Sequence, residues 1–573
     1  MEDFIMALQQ ADPAFLNVYT AIMRYLIPIL ALLLIFRCCG GLLFFRKEPE
    51  IWAWLVLPDQ RRLPITHWES VIGRSRRSDV IIDLPTVSRS HAVLTRYDDG
   101  SWTISDNGSK SGIKVNGEEV AIAPLEPEDE IELGGLKMHL LPISRHQEKT
   151  FAQLRTKTSP YGSIANVMLL TAMQLLICVG YLLSHKEGHG VDILYGFGGI
   201  VILQWLLLIF YLLIRKNSFD LETAAFFLCT IGMAAIAAVK PSEATKQVIA
   251  LVLGLVTFLF VGWCLRNLER AKNLHFWAAV GGVALLLITL LFGKEYHGAK
   301  NWLIIAGMSF QPSELSKVCF VFVGASAMDR IVGKRNVIFF IIYSVAICAC
   351  LAVMNDFGTA LIFFVAFLVI AYMRSGNVGT LALACTSLGF AGVIALKIAP
   401  HALQRFTTWR HIWEDPYGAG YQQTRALMCI ASGGLFGLGA GEGWLHNVFA
   451  ADSDIVFATI CEEWGLVIAL LTVVCMICIG IFAVRSAAVQ RSSFYAIGCC
   501  TAAAILLVQT MFNVLGTVDI LPLTGVTFPF VSNGGSSMIG VWGLLAFIKA
   551  ADTRQNASFA VRQSKEGRVD ALE

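Results

Sequence analysis

Charge is the scarcest ingredient of this chain. Of its 573 residues only 15% are Asp, Glu, Lys or Arg, against 56% hydrophobic, and the mean hydropathy is +0.64. A soluble domain carries far more charge, so an ordinary soluble protein is excluded. Such a chain stays dispersed only if much of its apolar surface faces lipid. A basic leader is lacking as well. Glu2, Asp3 and Asp12 precede the first apolar run, so no cleaved signal peptide is expected. Cysteines number 15, but metal-ligand spacing is missing. Cys38–Cys39, Cys348 with Cys350, and Cys499–Cys500 fall inside apolar runs, where a thiol behaves as a small hydrophobe. The formal charge of +2 says little, because the sign balance differs between loops; no nucleic-acid partner is expected.

What is present falls into two kinds of sequence. The first apolar run, 21–45, is interrupted by Arg24 and Arg37. Residues 48–148 are instead polar, with short alternating stretches at 70–72, 80–82, 92–94, 102–104, 113–115 and 130–133. Turn signals such as Asp98-Asp99-Gly100, Asn107-Gly108 and Asn116-Gly117 separate them, which predicts a small β-sandwich. From 163 onward, apolar runs lie near 163–184, 191–214, 221–239, 246–265, 275–293, 313–330, 336–354, 358–373, 378–397, 455–484, 494–515 and 536–550. Each is close to the ~20 residues that cross a bilayer. The fold class expected is a multi-pass α-helical membrane protein of about 13 spans with an all-β domain.

Basic residues orient the spans. Arg46-Lys47, Arg215-Lys216, Arg266 to Lys272, Arg330 to Arg335, Arg374, Arg485 to Arg491 and Lys549 to Arg554 fall on one side, which the positive-inside rule makes cytoplasmic. The β domain and C-terminus are then inside, and the loops 294–312, 398–454 and 516–535 outside. The longest of these, 398–454, is where function is expected to concentrate.

The β region carries Gly73-Arg74, Ser88-Arg89-Ser90-His91, Asp106-Asn107-Gly108-Ser109 and Val115-Asn116-Gly117. In order and spacing these resemble a forkhead-associated (FHA) domain. The resemblance implies a phosphothreonine-binding module in which Arg74, Ser88, Arg89 and Ser111 contact the phosphopeptide, while Gly73 and His91 shape the site. An arginine fork and a hydroxyl suit phosphate oxygens chemically. Ser111 stands where the family usually has Asn. The partner implied is a phosphothreonine protein from a Ser/Thr kinase pathway.

Four motifs recur in order through the apolar part. They are Gly298-Ala299-Lys300-Asn301-Trp302 with Gln311-Pro312-Ser313-Glu314-Leu315-Ser316-Lys317; Asn355-Asp356-Phe357-Gly358-Thr359; Asp415-Pro416-Tyr417-Gly418-Ala419-Gly420 with Glu462-Glu463-Trp464-Gly465; and Leu521-Pro522-Leu523-Thr524-Gly525 with Ser532-Asn533-Gly534-Gly535-Ser536-Ser537. Over 221–551 they resemble the SEDS family, the RodA/FtsW group, whose core has ten spans. The resemblance implies a peptidoglycan glycosyltransferase polymerising lipid II on the outer leaflet, beside a class B penicillin-binding protein. The organisation expected is an N-terminal membrane segment (1–47), an FHA domain (48–148), a linker with two extra helices (149–220), the SEDS domain (221–551) and a cytoplasmic tail (552–573). Departures from the family include Asn301 for Arg, Arg425-Ala426 for Gln-Ser, and Asn533 for Tyr.

That reaction needs an external carboxylate to take a proton from a sugar hydroxyl, and cations for a pyrophosphate leaving group. Asp415 matches the family's catalytic Asp; the plainer reading is an Asp-Pro turn. Lys300, Glu314, Lys317, Arg405, Glu462, Glu463 and Ser536 are the substrate-binding candidates. Glu314 and Lys317, one turn apart, also suit a purely structural ion pair. Glu462 and Glu463 suit holding helix ends equally well. A divalent cation, Mg or Mn, is compatible with the pyrophosphate, but no metal ligands are identified. The D-x-D spacing of Asp452 and Asp454 is treated as accidental, since no nucleotide-binding fold accompanies it. Two other functions compete. One is a lipid II flippase, which has no evident use for Asp415. The other is a scaffold that gathers phosphorylated cell-wall proteins.

Overall fold

The computed structural model describes residues 13–45, 51–143 and 160–558, apart from 77, 98–99, 185–188, 297–298, 306–307, 329–333, 377, 399, 491 and 555–556. The expected domain boundaries near 47 and 148, the tail beyond 558, and Gly298 of the first motif lie outside the described residues.

Alternation of buried and exposed side chains builds eleven short strands. These are β1 (Ala53–Val56), β2 (Arg62–Ile65), β3 (Glu69–Gly73), β4 (Val80–Ile81), β5 (Ala92–Arg96), β6 (Trp102–Asp106), β7 (Ile113–Val115), β8 (Glu118–Val120), β9 (Ile122–Leu125), β10 (Glu130–Leu133) and β11 (Leu136–Pro142). They form two sheets, ordered β2-β1-β11-β10-β7-β8 and β4-β3-β5-β6-β9. Inward residues at period two, among them Leu55, Ile72, Leu94, Ile104, Ile113, Ile131 and Met138, make a separate core. β3 and β5 are antiparallel, with Ile72 opposite Ala92 and Glu69 opposite Thr95. The Gly73-Arg74 end of β3 and the Trp68 end therefore lie at opposite poles of the sandwich.

Each of the thirteen apolar runs holds a helix. They are α1 (Pro13–Leu43), α2 (Pro160–Ser184), α3 (Gly190–Leu213), α4 (Asp220–Val239), α5 (Ala244–Leu265), α6 (Leu268–Phe292), α7 (Pro312–Met328), α8 (Lys334–Val353), α9 (Phe357–Ser375), α10 (Val378–Ile398), and, after two shorter helices α11 (Pro400–Thr408) and α12 (Tyr421–Gly433), α13 (Val456–Ala487), α14 (Ser493–Thr517) and α15 (Gly535–Ala550). Among the described residues nine helices are long and apolar enough to cross a membrane, and two shorter apolar ones accompany them. Large apolar side chains left exposed recur at helical spacing, as at Ile249, Leu253, Val256, Phe260 and Trp263 of α5, and offer a surface to lipid. Inside, small residues admit neighbours closely. A Cβ on Gly540 of α15 would come within 2.8 Å of the Glu314 carbonyl oxygen on α7.

Arg37, which interrupts the first run, does not interrupt the helix. Its Nε donates to Asn166 Oδ1 at 2.7 Å, and Asn166 Nδ2 donates to Asp220 Oδ1 at 3.3 Å. The same end of the bundle buries Arg554, which bonds Gly41 O, Asp220, Ser218 Oγ and Asp552, and the Lys549–Glu222 pair, reinforced by Tyr211 OH. This satisfied polar cluster pins α1, α2 and α3 to α4 and to the end of α15. The β-sandwich docks here too. Trp68 and Trp52 pack against the bundle core, braced from within the sandwich by the Arg96 guanidinium (4.6 Å from Trp52, 5.5 Å from Trp68), and His67 Nδ1 meets Gln490 O, between α13 and α14, at 2.8 Å.

Candidate active site

The opposite end of the bundle carries the long loops. The 294–312 segment, read from sequence as a loop, is a three-stranded sheet: β12 (Lys294–Tyr296), β13 (Ala299–Ile305) and β14 (Met308–Phe310). Asp356 anchors it. Its Oδ1 caps α9 by accepting the Thr359 N–H at 3.1 Å, an interaction worth ~1 kcal/mol. Its Oδ2 accepts from Asn301 Nδ2 of β13 at 3.2 Å and from Gln311 Nε2 at 3.3 Å. Lys300 donates its backbone N–H to Met354 O at 3.0 Å and leaves its side chain half-buried.

One turn into α7, Lys317 Nζ pairs with Glu314 Oε1 at 2.8 Å. Both are buried, with side-chain exposures of 1% and 6%, so neither charge has water to fall back on. Ser536 is buried in the first turn of α15.

Asp415 is solvent-exposed, in the turn between α11 and α12. Its Oδ2 accepts the Ala419 N–H at 2.9 Å and its carbonyl accepts the Gly420 N–H at 3.1 Å. A Cβ on Gly418 would strike Asp415 Oδ2, so the glycine is what lets the chain close around the carboxylate. Among the described residues no Lys or Arg pairs with Asp415, and Oδ1 is left to face solvent. The geometry is an Asx-type turn and an accessible carboxylate at once.

Arg405 of α11 donates from Nη1 to Thr524 O at 2.9 Å, and its Nη2 and Asp454 Oδ2 both border Gly525. It thus binds the 398–454 and 516–535 loops together. Trp409 Nε1 to Ile520 O (3.2 Å) and Gln423 Nε2 to Gly516 O (3.0 Å) add to that seam. Asp452 points elsewhere: it is buried, 3.4 Å from Lys240 Nζ, and accepts from Asn533 Nδ2 at 2.7 Å. The two acids of the D-x-D therefore have separate partners.

Glu462 and Glu463 are buried and occupied. Glu462 accepts the backbone N–H groups of Trp444 and Leu445, each at 2.9 Å, and Glu463 accepts the Tyr181 hydroxyl of α2. Of the readings open from sequence, this geometry favours holding chain ends together over lining a substrate cavity. α13 breaks immediately after them, where Gly465 has φ 83°. Sequence reasoning missed two amides on α14. Asn513 Nδ2 gathers the carbonyls of Ser453, Asp454 and Val526 at 3.2, 3.0 and 2.9 Å, fixing the loop floor. Gln509, one turn below it, is fully buried with neither amide atom partnered. A polar pair at i, i+4 in an otherwise apolar helix was the available signal.

At the far pole of the sandwich, Arg74 and Arg89 are exposed and Ser88 is half-buried. The Arg74 N–H donates to Ser88 O at 3.0 Å, and Ser88 Oγ accepts the Lys110 N–H at 3.1 Å. A side chain at Gly73 would strike Arg89 O. His91 is fully buried; Nδ1 accepts the Ser88 N–H at 3.1 Å, so Nε2 carries the proton it donates to Gly112 O at 2.9 Å. Ser111 is exposed, its hydroxyl reaching Thr86 O at 3.4 Å. His91 is spent on holding loops, while the two arginines stay open to a ligand.

The family model for FtsW, RodA and SpoVE, described as a cell cycle protein, matches residues 224–557, and the FHA domain model matches 70–134. The chain belongs to the FtsW/RodA/SpoVE family and carries an FHA domain ahead of the family core. It is similar to the peptidoglycan glycosyltransferase RodA of Mycobacterium tuberculosis, 28% identical over 325 residues, which are 53% of this chain and 69% of that one. It is also similar to the probable peptidoglycan glycosyltransferase FtsW of Tolumonas auensis, 31% identical over 304 residues, 51% and 79%. A solved chain from a peptidoglycan synthase complex overlaps with a TM-score of 0.48 at 22% identity, covering 58% of this chain and 96% of that one.

Proposed function

We propose that this membrane protein is a peptidoglycan glycosyltransferase that polymerises lipid II on the outer face of the membrane. The observation that carries the reading is Asp415: an exposed carboxylate, unpaired by any described cation, clasped in a glycine turn. The names of relatives sharing about half the chain support the same reaction. In that reaction the GlcNAc 4-hydroxyl attacks C1 of a lipid-linked MurNAc. The new C–O bond forms as the bond to polyprenyl pyrophosphate breaks, with inversion. Asp415 takes the hydroxyl proton as the oxygen becomes nucleophilic, and basic side chains receive the charge that leaves with the pyrophosphate. A divalent cation would find oxygen ligands on the pyrophosphate itself. Among the described residues no three His, Cys, Asp or Glu side chains gather as a ligand set, and every step above uses the chain's own groups.

The loops with Asp415 then face outward, and the FHA domain, docked at the other end of the bundle, faces the cytoplasm. Exposed Arg74 and Arg89 at its outer pole support phosphothreonine recognition of a kinase substrate. A class B penicillin-binding protein is the transpeptidase partner that membership of the family implies. The test is polymerisation of lipid II by the purified protein, with and without such a partner. Glycan strands are expected; transfer of lipid II between leaflets with no polymer would instead make it a flippase.

A further inference from the structure

α12 presents one stripe away from the loop floor. Tyr421, Arg425 and Met428 recur at i, i+4 and i+7. With Trp444 and the edge of Cys429 they line an open groove. Its opposite side packs on Leu445, Val448, Ala451 and Ile455, which hold the helix in place. Trp444, the second wall, is fixed by its backbone N–H to Glu462 Oε1 at 2.9 Å.

The groove holds a single charge. The Arg425 guanidinium carbon lies 5.2 Å from the Tyr421 ring and 5.4 Å from the Tyr417 ring, and Nη1 is 3.3 Å from Met428 Sδ. No described carboxylate pairs with it. Glu462, the acid behind the groove, spends both oxygens on backbone N–H groups. The Cys429 thiol between them is pushed up to about 12 by burial and then by the Glu462 carboxylate, so it stays neutral. Around the cation the surface is apolar and open: Met428 and Trp444 are both exposed. Aromatic faces and a thioether hold a guanidinium in place without satisfying its donors.

We infer that this groove binds the polyprenyl pyrophosphate end of the lipid-linked substrate, with Arg425 on the pyrophosphate and the apolar walls against the first isoprene units. The inference rests on the glycosyltransferase reading. A lone fork-shaped cation set in an apolar groove matches an amphipathic anion, and a phosphate takes Arg bidentately. Tyr417 joins this groove to the chemistry, since it stacks on Arg425 and follows Asp415 by two residues. Arg405, one of the cations named from sequence, is engaged by Thr524 O, whereas among the described residues Arg425 has only rings and sulfur as partners.

The test uses the full-length protein in nanodiscs, titrated with undecaprenyl pyrophosphate and with undecaprenol. Wild type is expected to prefer the pyrophosphate roughly ten- to a hundredfold, the scale of a charge-assisted hydrogen bond. Arg425→Gln should lose that preference and raise KM for lipid II more than it lowers kcat; Arg425→Lys should keep part of both. If Arg425→Gln does not insert, Met428→Glu places an anion one turn along the exposed stripe and should abolish the preference equally. An undiminished preference in Arg425→Gln or Met428→Glu overturns the site, whatever the enzyme does. Binding that depends on Arg425 in a wild type that makes no polymer supports the site and sinks the polymerase reading alone.

Discussion

Lys317 and Glu314 neutralise each other where no water reaches them. Removing only the lysine strands a carboxylate, at a cost of ~3–5 kcal/mol, whereas replacing both partners by neutral groups of similar size is often harmless. Lys317→Met is therefore expected to lower the unfolding midpoint in detergent well below that of the Lys317→Met/Glu314→Gln double variant. If the pair also serves substrate, the double variant folds and fails to polymerise; polymerisation by it would assign the pair to folding alone. Arg74→Ala should sharply reduce the difference between phosphothreonine and threonine peptides in a titration, because the phosphate loses one of the two planar forks, Arg74 and Arg89, at that pole. Equal affinity of the wild type for both forms would remove phosphopeptide binding from the account. These residues were legible because their chemistry lies in contiguous motifs and in rare intramembrane charges. Glu462 was named too, with two roles left open; what could not be read were its partners, backbone N–H groups that no side-chain pattern announces.

Helix existence was legible wherever about twenty apolar residues ran together, and every such run holds a helix. The elements that build the site were not. α12 has only thirteen residues, and its apolar stripe is interrupted by Arg425. β12 to β14 are three to seven residues each and hang on Asp356 rather than on any periodicity of their own. Asp356→Ala is expected to lower stability by ~1–3 kcal/mol, combining the lost cap with two amides deprived of an acceptor. Thermal unfolding of the detergent-solubilised variant measures it. An unchanged midpoint would mean that β13 is held by other contacts.

The molecule joins its two kinds of sequence by the pole of the sandwich that does not carry Arg74. Trp52 and Trp68 pack against the bundle core with Arg96 stacked on them from within the sandwich, and His67 meets Gln490, so a peptide can reach the phosphate pole without undocking the domain. Arg96→Ala is expected to expose the sandwich to protease in the full-length protein while leaving phosphopeptide affinity within about twofold, since distant sites rarely couple strongly. Sequence patterning revealed both domains but not this contact, which rests on two tryptophans and one histidine with no helical or strand period. Cysteine labelling of 48–148 and 398–454 from the two sides of a membrane should find them on opposite faces.

The central claim is that Asp415 takes the acceptor proton. Asp415→Asn keeps the size of the side chain and an oxygen able to accept the Ala419 N–H, and Asn forms turns as readily, so the fold should persist. Only the capacity to take a proton at neutral pH is lost, which typically costs ~10²–10⁴-fold in rate. The measurement is lipid II polymerisation by purified wild type and Asp415→Asn, each supplied with its transpeptidase. A folded, inserted variant that makes no detectable polymer is the predicted result. Near-normal strands from Asp415→Asn would contradict the claim, reducing Asp415 to a turn and moving suspicion to Asp454.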